Sequence, residues 1–468
     1  MENRYRVLLV TFPAQGHINP SLQFAKRLSQ MGTEITLLTA NFALDRMVTT
    51  TPPVQGLTLV GFPDGFDEGL KLGKTMDEIM GGLKNRGSEA VEEIIKSSIE
   101  KGEPFSRVVY TTLLPWVGRM AHELKVPSTF LWIQPATLLD IYYYYFNGYS
   151  EAIQNHGNDP SWSVELPGLP RLTTRDLPSF FVDSGEHNFA LELFKEHFGI
   201  LELEDNPKVL VNSFDELEYE ALRVVKNLNF VPIGPLVPSA FLDGKDPSDN
   251  SFGGDLLKKS DDYIEWLNSR EKGSVIYVSF GSYSELPKQQ MEEIAKGLAA
   301  TENPFLWVIR KGKKDNENNN FDINMFKEEL EKNGENKIVE WCSQMEVLSH
   351  PSIGCFVSHC GWNSSLESLV CGVPLVCFPI WTDQSTNAKL IEDIWRVGLR
   401  VTKNENGIVE GNEIKTCLDI VMGEKKEYLN INAQKWKKLA IEAAKEHGSS
   451  YSNLRDFVDQ EIRGVVEY

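Results

Sequence analysis

Twice along this 468-residue chain, short continuous apolar runs alternate with stretches of helical periodicity. In the first series the expected strands are Tyr5–Phe12, Glu34–Ala40, Leu57–Phe62, Arg107–Thr111, Thr129–Ile133 and Lys208–Asn212. Runs such as Val7-Leu8-Leu9-Val10 lack polar alternation, so they suit parallel strands covered on both faces. A second series restarts at Ser274–Phe280, Pro304–Ile309, Lys337–Trp341, Ile353–Ser358 and Val373–Phe378. Between them, the Pro/Gly-rich Val231–Pro238 gives way to an aperiodic polar stretch reaching about Asp262. The pattern predicts an α/β chain of two doubly wound, Rossmann-like domains facing across a cleft. Ligands of such sheets bind at the carboxyl ends of strands. Three loops therefore stand out: Pro13–Asn19, Phe280–Leu286 and Ser358–Ser365. Asn19 before Pro20 predicts a helix start, and Gly32 its end.

Charge excludes several functions. Lys plus Arg number 47 against 67 Asp plus Glu, a net charge of −20. Nucleic acid and anionic membranes find no basic footprint on such a chain. No apolar run reaches the ~18 residues of a membrane-spanning helix. The six cysteines all lie in the second half, with no CxxC pair. In a chain of this size they read as reduced, buried thiols of a cytoplasmic protein.

The 44 residues from Trp341 to Gln384 carry the most chemistry. They open on an aromatic ring able to stack on a base. They turn over Ser358-His359-Cys360-Gly361-Trp362-Asn363-Ser364, where a strand meets a helix N-terminus that can hold an anion. They close on Asp383-Gln384, a polar pair suited to sugar hydroxyls. Read alone, the middle segment also suits an ordinary capped turn, and Trp341 also suits a core residue. The full stretch resembles the signature box of the plant family 1 UDP-glycosyltransferases. That resemblance implies a GT-B type fold, with domains at 1–238 (acceptor-binding), 263–450 (UDP-sugar-binding) and a linker at 239–262. It also implies a last helix, 451–468, packing back on the first domain.

The same resemblance implies a donor site in which Trp341 stacks on uracil with Cys342 beside it. Gln344 and Glu367 would hold the ribose. His359, Asn363, Ser364 and the Trp362 backbone would hold the diphosphate, with Ser282 as a further contact. Asp383 and Gln384 would bind glucose, since Gln at the last position accompanies glucose in the family. UDP-glucose is then the donor co-substrate; no metal and no cofactor is implied, and no DxD motif is present.

His17 follows the first expected strand, in Gly16-His17-Ile18-Asn19-Pro20. A neutral imidazole there could take a proton from an acceptor hydroxyl, or could simply bond its own loop. The resemblance favours the base. The family orients that base with an Asp where this chain has Thr111, a departure that removes the charge stabilising an imidazolium. An acceptor that is already ionised would need less help. The expected reaction is inverting transfer of glucose to a hydroxyl or carboxyl group of a small plant metabolite. Segments such as Leu131–Ala136, Asp140–Tyr143 and Asp176–Phe180 resemble the branch with anthocyanin 5-O-glucosyltransferases and glucose-ester formers. The aromatic run Tyr142–Phe146 reads mostly as packing. The expected protein is a monomer acting on small molecules. One alternative, raised by Thr111, is a UDP-sugar-binding protein without turnover. Another, a Rossmann oxidoreductase, lacks GxGxxG after the first strand.

Overall fold

The computed structural model describes residues 5–50, 53–65, 76–157, 159–181, 188–252, 262–281, 286–310, 327–328, 330–331 and 334–464. The chain divides into two compact units, Met1–Leu256 with Glu442–Tyr468, and Leu257–Ile441.

The first unit is built on seven parallel strands: β1 (Arg6–Val10), β2 (Glu34–Ala40), β3 (Leu57–Phe62), β4 (Arg107–Thr111), β5 (Ser128–Trp132), β8 (Lys208–Val211) and β9 (Asn229–Pro232). A small antiparallel hairpin, β6 (Ser163–Val164) and β7 (Leu172–Thr173), lies outside that sheet. The sheet order is β3-β2-β1-β4-β5-β8-β9. Chain order reverses between β1 and β4, where Val10 pairs with Tyr110. Val7, Leu8, Leu9, Val108 and Val109 are wholly buried, as strands covered on both faces require. The helix Ser449–Phe457 and the turn after it close over this unit. Asn453 Nδ2 donates to Pro232 O at 2.9 Å. Glu461 takes both Arg107 and Lys208 at 2.5 Å.

The second unit holds six parallel strands: β10 (Val275–Ser279), β11 (Phe305–Val308), β12 (Lys337–Val339), β13 (Ile353–Ser358), β14 (Leu375–Cys377) and β15 (Gly398–Arg400). Their order is β12-β11-β10-β13-β14-β15, so the reversal falls between β10 and β13. Both sheets thus offer a crevice at the carboxyl ends of the strands flanking the reversal.

The structure departs from the sequence reading in three places. The first helix spans Gln15–Gln30, with Ala14 as its extended cap and Pro20 inside. It starts early because Ala14 O accepts from both His17 N and Ile18 N, at 2.9 and 3.0 Å. The polar stretch after Pro238 is no free linker as far as residue 252. It folds onto the first unit, where Asp249 accepts from Lys26 Nζ at 2.6 Å and from Ser239 N at 2.8 Å. Four strands, β6, β7, β9 and β15, lie outside the runs expected from sequence.

Candidate functional site

Beyond β1 the chain turns at once into its first helix, placing His17 in the first turn of that helix instead of in a loop ahead of it. Its ring lies 5.0 Å from Phe12, tilted by 52°. Ser21 Oγ sits 2.7 Å from the His17 carbonyl oxygen and 2.8 Å from Thr11 Oγ1, tying that turn to the strand end. His17 is half-buried, and its Nδ1 is enclosed with no partner among the described residues. Burial pushes the imidazole pKa down to about 3.

Thr111 ends β4 and is wholly buried. Its Oγ1 accepts from the Phe12 N–H at 3.4 Å, so it braces the backbone of the turn and makes no bond to the imidazole among the described residues. Two further polar atoms at the same rim, Thr112 Oγ1 after β4 and Gln134 Oε1 after β5, are also buried without a partner among the described residues. Sequence reasoning passes over both, because an unsatisfied atom is a property of packing.

The helix that follows β5, Ala136–Tyr144, is anchored at its start by Glu218. That carboxylate accepts from Ala136 N and Thr137 N at 2.9 Å each, as an anion at a helix N-terminus should. Tyr142 and Tyr145 are buried, stacking at 4.3 Å on Phe194 and Phe181. Tyr143, Tyr144 and Phe146 are half-buried.

In the second unit the described donor residues gather at the carboxyl ends of β12, β13 and β14. Trp341 is half-buried just beyond β12. The Cys342 thiol turns inward, 3.5 Å from the Tyr277 hydroxyl, which leaves only its backbone to a ligand. Gln344 Nε2 donates to Ser364 Oγ and to Glu367 Oε2, each at 2.8 Å. Those two acceptors share a face of the helix Trp362–Cys371, three residues apart. Trp362 packs its indole 5.9 Å from Trp395 in the interior. Asn363 is half-buried beside it, and Ser282 lies outside the described residues.

His359 is fixed by glycine. A Cβ on Gly281, after β10, would come 2.5 Å from His359 Nε2, and a Cβ on Gly361 would do the same. The two turns flanking the sheet reversal thus close on one imidazole. Burial, then the Arg310 guanidinium, lowers its pKa to about 4, so it is a neutral hydrogen-bonding group at physiological pH. Gly361 caps the helix Trp362–Cys371 without a side-chain bond to the helix, as an anion-binding terminus requires.

At the end of the box, Asp383 and Gln384 are both buried. Asp383 accepts from Thr382 Oγ1 at 2.8 Å and from Asn387 Nδ2 at 2.6 Å. Burial raises its pKa, and those bonds oppose the rise. Gln384 Oε1 accepts from Ile380 N and Trp381 N at 2.8 and 3.1 Å, leaving its Nε2 as the donor the turn does not use. Among the described residues no group of three His, Cys, Asp or Glu could hold a metal ion. No described helix is long and apolar enough to cross a membrane.

Residues 228–434 match the family model described as UDP-glucoronosyl and UDP-glucosyl transferase. The chain is 54% identical to crocetin glucosyltransferase, chloroplastic, of Gardenia jasminoides, with 99% of each covered. It is 50% identical to anthocyanidin 3-O-glucoside 5-O-glucosyltransferase of Verbena hybrida, over 98% of this chain and 99% of that one. Among solved structures, that of Os79 from O. sativa in complex with UDP is similar with a TM-score of 0.84. Its identity is 34%, covering 97% of this chain and 100% of the other.

Proposed function

The chain belongs to the plant family 1 UDP-glycosyltransferases, in the branch of the anthocyanidin 3-O-glucoside 5-O-glucosyltransferases, and on that premise we propose roles for its two rims. It is a glucosyltransferase of small metabolites. UDP-glucose is the donor. Trp341 stacks on the uracil; Gln344 and Glu367 bond the ribose. His359, Asn363, Ser364 and backbone N–H groups at the helix start hold the diphosphate, with Ser282 as a further contact. Asp383 and the Gln384 Nε2 amide bond the hexose. The departing diphosphate is stabilised by oriented dipoles that need no rearrangement as charge develops. The acceptor oxygen, relieved of its proton by His17, displaces UDP at the anomeric carbon in one step, turning α-linked glucose into a β-glucoside. The six free, buried thiols suit a reducing compartment, and we place the protein in the cytoplasm.

One observation carries the acceptor class: the enclosed His17 Nδ1, which makes no bond to the Thr111 hydroxyl engaged with Phe12. Among the described residues no carboxylate steadies an imidazolium there, and burial alone already disfavours it. His17 is therefore a weak base. Carboxylic acids, which arrive ionised, and acidic phenols of flavonoid type are the acceptors that ask least of it. The relatives named for crocetin and for an anthocyanidin glucoside supply one example of each kind. The test is UDP release from UDP-glucose by wild type and His17→Ala over carboxylic acids, phenols and aliphatic alcohols. The expected order is carboxylates and acidic phenols first. The mutant should lose about 10²–10⁴-fold on phenols, the usual contribution of a positioned base, and clearly less on carboxylates. Equal turnover of aliphatic alcohols would sink the acceptor class, and no release with any acceptor would sink the enzyme reading.

A further inference from the structure

We propose that Asn387 is a positioning residue of the donor site, joining the turn on the diphosphate side to the carboxylate on the sugar side; this rests on the donor reading above. Asn387 lies in the helix Gln384–Lys389, one turn beyond Asp383, and is wholly buried. Its amide nitrogen carries two hydrogens and has two acceptors in reach. One is the Cys360 carbonyl at 2.8 Å. The other is Asp383 Oδ2 at 2.6 Å.

Each partner is held in an unusual state that this amide supports. Cys360, between His359 and Gly361, has φ +64°, a region a non-glycine side chain seldom occupies. Its carbonyl in that conformation is satisfied by Asn387. Asp383 follows Thr382, at φ +58°, and its carboxylate sits in a desolvated place that raises its pKa. The Asn387 N–H favours the charged form and so keeps Asp383 an acceptor. The two loops follow different strands, β13 and β14, and one amide sets the spacing between them. The opposite atom, Asn387 Oδ1, is enclosed without a partner among the described residues. A residue needed only to fill this space would be apolar, since burying an unmatched amide oxygen is unfavourable.

The experiment measures binding of UDP and of UDP-glucose to the full chain by calorimetry. The pH profile of kcat/KM for UDP-glucose is taken alongside. The proteins are wild type, Asn387→Ala, Asn387→Asp and Asn387→Ser. Ala388→Gly loosens the same helix while leaving both Asn387 hydrogen-bonding groups in place, and calibrates mere destabilisation. The near-isosteric Asp and the small polar Ser serve if Ala does not fold. Asn387→Ala is expected to weaken UDP-glucose by about tenfold or more, the worth of a bond to a charged group, and UDP alone by less. The acid limb of kcat/KM should move to higher pH, because Asp383 loses a bond that favours its ionised form. Asn387→Asp, which has at most one proton to donate where the amide has two and sets a second carboxyl against Asp383, should be the more severe. A fall in melting temperature like that of Ala388→Gly, with the UDP-glucose to UDP ratio and the acid limb unchanged, would overturn the role of Asn387 alone. Wild type that binds UDP but not UDP-glucose would overturn the donor reading and this inference with it.

Discussion

Thr111 stands at the strand end where the family places a carboxylate, and it makes no bond to the base among the described residues. Its hydroxyl is taken by the Phe12 N–H, and Nδ1 of His17 is left enclosed and unpartnered among the described residues. Thr111→Asp would put a carboxylate at that strand end. A negative charge near the imidazole favours its protonated form, so the His17 pKa should rise from about 3. A stronger base should speed transfer to acceptors that arrive protonated. We expect kcat/KM on aliphatic alcohols to rise by about tenfold, with little change on carboxylates. The wild type and variant are compared across pH 5–9 on one alcohol and one carboxylic acid. A loss on both acceptors in step with a lower melting temperature would refute the idea. The position of His17 and the oddity of Thr111 are both legible in the sequence, because each stands in a motif. The isolation of Nδ1 is not, since it depends on where Phe12 turns its backbone. Asn387 is within reach of sequence reasoning, four residues from Asp383 and so on the same helix face. Nothing in a string of letters says that the Cys360 carbonyl points at it.

At the scale of elements, the donor site is two strand-to-helix turns pressed on one ring. Gly281, after β10, has φ +77°, so any substitution there combines backbone strain with the clash on His359. Gly361 has ordinary angles, φ −60° and ψ 146°, that alanine adopts freely. Gly361→Ala therefore isolates the effect of the methyl, which would meet His359 Nε2 at 2.5 Å. The imidazole must swing away while the helix Trp362–Cys371 stays formed. A displaced oxyanion donor typically costs ~10²-fold. That loss should appear in kcat/KM for UDP-glucose, with a melting temperature within a few degrees of wild type. Unchanged kinetics would mean that His359 is not placed by its glycines. The strands on either side are readable from their apolar runs, most of them to within one or two residues. β9 escapes because it ends in Pro232 and merges with a Pro/Gly-rich stretch that reads as linker. β15 escapes because three residues, Gly398-Leu399-Arg400, carry no period at all. The helix start is misplaced at Asn19-Pro20, a good local signal outvoted by the bonds that Ala14 makes.

For the whole molecule, histidines held neutral below their ordinary pKa shape the expected response to acid. His17, His197 and His359 all have pKa values lowered by burial, to about 3, 3 and 4. His197 is the cleanest, being 1% exposed and without a partner on either nitrogen among the described residues. It stacks at 4.1 Å on Phe130 and 5.8 Å on Tyr110. An unfolded chain takes up a proton at this position below the ordinary histidine value of 6.5, and the folded chain does not until about pH 3. Between those values the unfolded state binds more protons, so stability is full above pH 6.5 and is lost as pH falls towards 3. At pH 5 the deficit from His197 alone is ~2 kcal/mol, from 1.36 kcal/mol per unit. His197→Phe keeps a flat ring in the same stack and removes the titration. Urea midpoints at pH 7.5 and pH 5 should show the variant gaining about that amount on wild type in acid, with a far smaller difference at pH 7.5. Parallel losses in the two proteins between those pH values would mean that another group governs acid unfolding. The comparison also separates stability from catalysis, because His197 belongs to the interior of the first unit. His17, at the rim of the same sheet, should still set the acceptor dependence of the rate in the His197→Phe protein.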